Sequence, residues 1–359
     1  MKRRTFIQSA SVAFLSLTGT SLTESTESTE NTILHPKATD GAADAPLFMG
    51  VLGAINANDL GVTLVHEHVM ADFIGAAETG THRYKVEDVV AKAKPFLLEL
   101  KKAGCKTFVD CTPAYLGRDA RVLKQLATET GMNILTTTGY YGAVEEIFLP
   151  EHAYTETAEQ LAARWVNEWK NGIDNTGVRP GLIKTSVDAG HLRPIYKKIL
   201  TAVAQTHLQT GLTISVHTGN GVAALEQIDL FKKNGVSPTA YRWVHAQNEK
   251  DKDIHLRAAK QGAWIEFDGI NESVPGNIDE HVAFVKHMKD NGFLNQVLIS
   301  QDAGWYHVGE PNGGDFRGFT GLFTKFIPAL KSAGFTTADI DQLLVKNPRE
   351  SFEIRVRKL

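Results

Sequence analysis

Six polar residues each end a short apolar or β-branched run in this 359-residue chain. They are His66 and His68 in VTLVHEH, Lys184 in GLIK, His217 in LTISVH, His245 in YRWVH and Asp302 in QVLISQD. Imidazoles and carboxylates ligate metals, and these groups also move protons. His66 and His68 stand at i and i+2. On a strand both rings point to one face and can reach one ion, while Glu67 points the other way. Each residue alone says little: a single histidine at a strand end is ordinarily a hydrogen-bonded core residue, and Asp302 could serve as a helix N-cap. Lys184 is the anomaly, because a lysine closing an apolar strand is costly to bury unpaired. Together the six predict strand ends that converge on one place, and that place is a metal site.

The elements that must position them follow one rhythm. Strand-like runs near 62–68, 105–111, 133–140, 181–187, 212–217, 241–245, 262–267 and 296–300 alternate with longer stretches of helical period. Helical stretches such as VEDVVAKAKPFLLELKKAG end in a glycine, here Gly104, and Gly131 and Gly211 stop two others. Eight strand–helix units with continuously apolar strands predict a parallel sheet closed into a (β/α)8 TIM barrel. An open doubly wound sheet would spread ligands on strands one, four, five, six and eight along a wide edge. A barrel rings them around one mouth, at the C-terminal ends of the strands. Before the first strand, LFMGVLGAINANDLG reads as a small N-terminal hairpin with Asn-Ala-Asn-Asp as its turn.

Composition bounds the rest. The chain is 42% hydrophobic with a formal net charge of -3, enough apolar mass for a full core and no basic field for nucleic acid. Cys105 and Cys111 lie six apart on one run, about 20 Å at strand rise, too far for a disulfide. Residues 1–22, MKRRTFIQSASVAFLSLTGTSL, have a basic start and a modest apolar stretch, and Arg3-Arg4 resembles a twin-arginine signal. Export to the periplasm is the expectation, with no transmembrane span after the signal. Residues 23–46 repeat Ser-Thr-Glu with almost nothing apolar and read as a flexible acidic linker. The remaining 47–359 hold the barrel.

The HEH run, the lysine on the fourth strand, the histidines on the fifth and sixth and the aspartate on the eighth resemble the phosphotriesterase family of the amidohydrolase superfamily. GVTLVHEH, VDCTPAYLGRD, GIDNTGVRPGLIK, VHTGNG, LISQD and VKNP agree with family segments in order and spacing from about Phe48 to the C-terminus. The resemblance implies a hydrolase of small-molecule esters with two divalent ions, zinc first and cobalt or manganese as substitutes. His66, His68 and Asp302 would hold one ion and His217 and His245 the other. Lys184, N6-carboxylated, would bridge them together with a hydroxide. That hydroxide would attack the substrate, with Asp302 as the catalytic base. Two divalent ions against Asp302, the carbamate and the hydroxide leave one net positive charge for the anion that develops in hydrolysis. A homodimer is the assembly common in the family.

The pattern breaks at the proton relay. Efficient triester hydrolases of the family carry an acid shortly after the sixth-strand histidine and a histidine after the seventh strand; here Asn248 and Gly269 stand there, and Asp268 is kept. Tyr141 falls where lactonase members place a tyrosine on the substrate carbonyl. A carboxyl ester or lactone is therefore the expected substrate, with phosphotriester hydrolysis as the alternative. The expected pocket residues are Tyr141, Asp268 and Trp305. Trp305 sits with Tyr306 and His307 on DAGWYHVGEPNGGDFRG, a substrate lid or an ordinary surface loop. From another class, a non-catalytic exported metal- or solute-binding protein is the alternative, although such receptors do not need histidines on strand ends.

Overall fold

The computed structural model describes residues 47–359, so the leader and the acidic linker lie outside the described residues. Eight parallel strands carry the architecture: β1 (Thr63–Ala71), β2 (Thr107–Asp110), β3 (Asn133–Leu135, continued by Thr137–Thr138), β4 (Leu182–Val187), β5 (Thr213–Thr218), β6 (Tyr241–Val244), β7 (Trp264–Phe267) and β8 (Val297–Ile299). Each lies within a few residues of its expected run.

The ladders join β1 through the first part of β3, and the second part of β3 through β8. Two seams close the ring. At Thr136, between the two parts of β3, the main-chain N–H of Gly181 donates to its carbonyl at 2.8 Å. Between β8 and β1, Asp302 N–H donates to His66 O at 3.1 Å and His68 N–H to Ala303 O at 2.9 Å. The result is the (β/α)8 barrel. Among the described residues seven longer helices pack outside it, α1 (Val86–Lys102), α2 (Ala120–Thr130), α3 (Ala158–Asn171), α4 (Pro194–Thr210), α5 (Gly221–Lys233), α6 (Lys252–Lys260) and α7 (Asn277–Asp290), and short helices over Ile327–Ser332, Thr337–Asp341 and Asn347–Phe352 follow near the C-terminus. With helices on one face and the barrel interior on the other, β1, β2, β4, β6, β7 and β8 are buried at every position.

Local chemistry sets the helix ends. Asp119 and Asn220 cap α2 and α5 by accepting first-turn N–H groups, and Thr157 with Gln160 forms a capping box on α3. Gly131 and Gly211 stop α2 and α4 at φ 63° and 75°, the left-handed region that suits glycine. Between its ends α3 turns Leu161, Ala162, Trp165 and Val166 inward, one apolar stripe of helical period.

Three details differ from expectation. The hairpin exists, Phe48–Gly50 against Gly53–Ile55, but it turns at Val51 and Leu52. Asn56 to Asp59 forms a separate turn, closed by Asp59 N–H to Asn56 O at 2.9 Å. Second, part of the expected lid is sheet: β9 (Gly304–His307) pairs in parallel with the far end of β1. On that edge the nine-residue β1 outruns the three-residue β8, leaving backbone that β9 covers. Third, the run holding Cys105 and Cys111 is a strand only over Thr107–Asp110, with both thiols free and buried. Among the described residues, no helix is long and apolar enough to cross a membrane.

Asn347 ties the C-terminal helices to the barrel. Its buried amide donates to Leu294 O at 2.8 Å and Val297 O at 2.6 Å, where β8 begins. Asn347→Ala strands two carbonyls and should cost about 1–3 kcal/mol of stability, read as a lower urea midpoint. An unchanged midpoint would remove this anchor from the account.

Candidate metal centre at the barrel mouth

All six residues singled out by their spacing meet at the C-terminal mouth of the barrel, lining one cavity of about 270 Å³. His66, His68, Lys184 and His245 are buried. The His66 and His68 ring centroids are 5.3 Å apart, so the i, i+2 spacing does bring both rings to one face. His245 stacks near His66 at 5.1 Å and His217 near His245 at 4.3 Å. Lys184 Nζ lies 3.2 Å from His66 Nε2. One ligand atom from each of His66, His245 and Asp302 falls within 4.8 Å of the others.

Each imidazole is tied at Nδ1. His68 Nδ1 meets Thr112 Oγ1 at 2.7 Å, His217 Nδ1 meets the Tyr141 hydroxyl at 2.9 Å, and His245 Nδ1 meets Asp268 Oδ1 at 2.6 Å. His66 Nδ1 has two carboxylates, Glu266 at 2.9 Å and Asp268 at 3.0 Å. Four Nε2 atoms are left for the centre, and outer partners of this kind orient imidazoles toward a metal. Glu266 is itself held by Arg242 Nε at 3.0 Å. That pairing balances one buried carboxylate and makes the His66–Glu266–Asp268 cluster a support for the ring rather than a second ion site.

Electrostatics favours the ligand states of His68, His217 and Asp302, whereas at His66 burial opposes the charge but Cys111 and Asp268 hold the imidazole well above its usual range. Burial pushes His68 down to about 4 against the pull of Asp302. Burial, then the neighbouring His245 and Lys184, hold His217 well below the usual imidazole range. Burial opposes ionisation of Asp302, but His68, with Nε2 3.1 Å from Oδ1, and then His66 and His245 hold its carboxyl below the carboxylate range. Burial, then Asp302 and Asp188, push the Tyr141 phenol up, so it keeps its proton.

Two mismatches remain in the protein alone. Lys184 is 1% exposed, and no carboxylate among the described residues pairs with it. Asp302 Oδ1 is buried with no donor aligned on it, although it lies 3.1 Å from His68 Nε2. Each is expensive for a folded chain. A divalent cation would take the Asp302 oxygen, and Lys184 would join such a centre only as its neutral amine or its anionic carbamate, so the donor set fits a metal centre.

Two candidates adopt left-handed backbone, His245 at φ 61° and Asp302 at φ 50°. A non-glycine residue there costs about 1–3 kcal/mol, strain that persists where surrounding bonds over-determine it. The main-chain N–H of His245 is held by Asp268 Oδ2 at 3.1 Å.

The cavity above the centre is apolar. Phe73, Leu116, Tyr141, Val144, Ile147, Phe148 and Trp305 line it, and among the described residues its only cationic or carboxylate lining groups belong to the centre. Trp305 stacks on His68 at 3.8 Å, and Phe73 bridges Trp305 to Phe148 at 5.7 and 6.4 Å. A larger cavity of about 490 Å³ lies beyond Tyr115. Its arginines, Arg118 and Arg164, are already paired with Glu168 and Glu156. The chemistry therefore points to the smaller one.

Tyr141 and Trp305 reach the cavity as expected. Asp268 does not: it is fully buried behind the ring, bonded to His66, His245 and Gln247. A carboxylate that holds two imidazoles by Nδ1 has to sit on their far side. Sequence reading also passed over Thr112, Arg242, Glu266 and the apolar wall from Phe73 to Phe148. Glu266 was findable, since Glu266 and Asp268 repeat the i, i+2 spacing of His66 and His68 one strand away from the ring.

Asp268→Asn should leave the fold intact and weaken metal retention by about 10–100-fold, because it disturbs two imidazoles at once. Competition with a chromogenic chelator measures this, and wild-type retention would show that Asp268 does not orient them.

A model of the phosphotriesterase family matches residues 46–352. The chain is 32% identical over 294 residues to a phosphotriesterase homology protein of Escherichia coli, covering 82% of this chain and 98% of the relative. It is 25% identical over 309 residues to an aryldialkylphosphatase of Saccharolobus solfataricus, covering 83% and 97%. It is 26% identical over 344 residues to an N-acetyltaurine hydrolase of Danio rerio, covering 83% and 95%. With the barrel and the convergent ring of histidines, these matches establish that the chain belongs to the phosphotriesterase family of metal-dependent hydrolases.

Proposed function

We propose that this protein hydrolyses a neutral, largely apolar carboxyl ester or lactone at the ring of His66, His68, Lys184, His217, His245 and Asp302. The observation that carries this reading is the pairing of a cavity with an aromatic and aliphatic wall with a centre that holds its carboxylate, lysine and histidine lining groups. A substrate bearing its own anion, such as the N-acetyltaurine of the fish relative's name, would bury that charge against Phe73, Val144, Ile147 and Phe148 with no cation outside the centre to meet it. A phosphotriester is also neutral and is the second reading. Asn248 and Gly269, where the relay of efficient triester hydrolases would stand, weigh against it.

Two divalent cations, zinc in this reading, would supply Lewis acidity and lower the pKa of bound water. The remaining chemistry belongs to the chain. His66, His68 and Asp302 would hold one cation and His217 and His245 the other, and Lys184 as its carbamate would offer an anionic ligand in place of an unpaired buried amine. Asp302, ionised and with Oδ1 free, takes the proton of the attacking water. The Tyr141 hydroxyl accepts from His217 Nδ1–H and keeps its own proton, which can be donated to the substrate's carbonyl oxygen. Trp305, Phe73 and Phe148 exclude bulk water from the reacting atoms. Residues 1–22 fit export of the folded protein to the periplasm, and a homodimer is the proposed assembly.

Purified protein incubated with zinc and bicarbonate should hold two ions per chain and cleave lactones and aryl carboxyl esters faster than phosphotriesters or N-acetyltaurine. Fewer than one ion per chain, or a preference for the anionic amide, would overturn the reading. Lys184→Ala should lose metal and at least 100-fold in kcat, with partial return on adding short carboxylic acids. Full activity of the untreated variant would remove the lysine from the bridge.

A further inference from the structure

Asp302 is held almost entirely by its neighbours' main chain. Each backbone polar group of residues 301–303 has a partner, and most of these partners trace to two side chains. Glu67 is fully buried, and its Oε1 accepts from Gln301 N–H at 3.0 Å while its Oε2 accepts from Ala303 N–H at 2.7 Å. The carboxylate thus straddles Asp302. On the other side one Nη of Arg317 donates to the carbonyls of both Gln301 and Asp302, the latter at 2.8 Å. Asp302 N–H goes to His66 O, and Ala303 O accepts from His68 N–H.

Glu67 also accepts from Ser300 Oγ at 2.8 Å, and Ser300 Oγ accepts from His66 N–H at 3.0 Å. A single carboxylate, lying between two ring histidines in sequence, therefore stitches β1 to the segment after β8. The backbone of Asp302 is left-handed at φ 50°, and the clamp from its two sides supplies the bonds that a strained residue needs. None of these bonds uses the Asp302 carboxylate, which stays free for the centre.

We infer that Glu67 and Arg317 are positioning residues that set the reach of Asp302 into the centre from opposite sides of its main chain. The inference rests on the role proposed for Asp302. Arg317 is partly exposed and lies on the segment after β9, outside the strands of the barrel, so it offers a handle that leaves the barrel interior untouched.

The test uses zinc-loaded protein with Glu67→Gln, Arg317→Gln, Arg317→Lys and Asp302→Ala. Metal retention is read by chelator competition, kcat and KM on an aryl carboxyl ester, and melting of the metal-free form by circular dichroism. Glu67→Gln keeps the shape but turns an N–H donor toward one of the backbone N–H groups. It should lower zinc retention about 10–100-fold and kcat at least tenfold, with KM within threefold. Arg317→Gln should do the same while the metal-free melting temperature stays within a few degrees, and Arg317→Lys should recover part of both. Retention and kcat within twofold of wild type in Arg317→Gln, while Asp302→Ala loses both, would overturn the clamp. If Asp302→Ala also keeps metal and rate, the proposed role of Asp302 fails instead. Should Glu67→Gln not fold, the two Arg317 variants decide the matter.

Discussion

The seam between β8 and β1 is where the barrel and its centre become the same problem. A barrel closes only if its last strand hydrogen-bonds to its first. Here the closing bonds are made by His66, His68, Asp302 and Ala303, so ring closure and ligand placement share atoms. The dense packing that follows is a consequence. Glycine at 304 lets β9 pass close over the carbonyl of His68, where a Cβ would collide with that oxygen. At φ 100° it also takes a conformation open mainly to glycine.

Behind the seam stands a layer of partners that decides which nitrogen each imidazole presents. Thr112, Tyr141, Asp268 and Glu266 occupy the Nδ1 atoms, and Arg242 neutralises the deepest carboxylate. Arg242 also lies over the Phe352 ring at 4.1 Å, so a residue near the C-terminus reaches the support of the ring. Rotations of imidazole rings are thereby restricted before any ion arrives, which lowers the cost of organising a metal site. The unpaired Lys184 and the orphaned Asp302 oxygen mark what that organisation leaves for the ions.

Reactivity and selectivity come from different parts of the mouth. The centre gathers residues from β1, β4, β5 and the ends of β6 and β8. The wall comes from loops after β1, β2 and β3 together with Trp305 on β9. Such a division lets one set of ring residues serve different substrates as loops change, the usual arrangement on this barrel. In this chain the wall is aromatic and uncharged, which narrows the substrate while leaving the chemistry at the ring untouched.

Much of this was legible in the sequence. Strand-helix alternation, glycine stops and the polar ends of apolar runs depend on local propensity and on periods of two and 3.6, which any chain displays in one dimension. They suffice for the eight strands, the barrel and the six ring residues. What the sequence left open involves partners far apart in the chain. The hairpin turn at Val51 and Leu52, the strand at Gly304–His307, the inward burial of Asp268 and the grip of Glu67 on residues 301–303 each depend on which backbone groups lie opposite once the ring has closed. Glu67 shows the reason most clearly. Its alternation with His66 and His68 correctly turns it away from the ring, but only the arrival of β8 beside β1 determines what it turns toward.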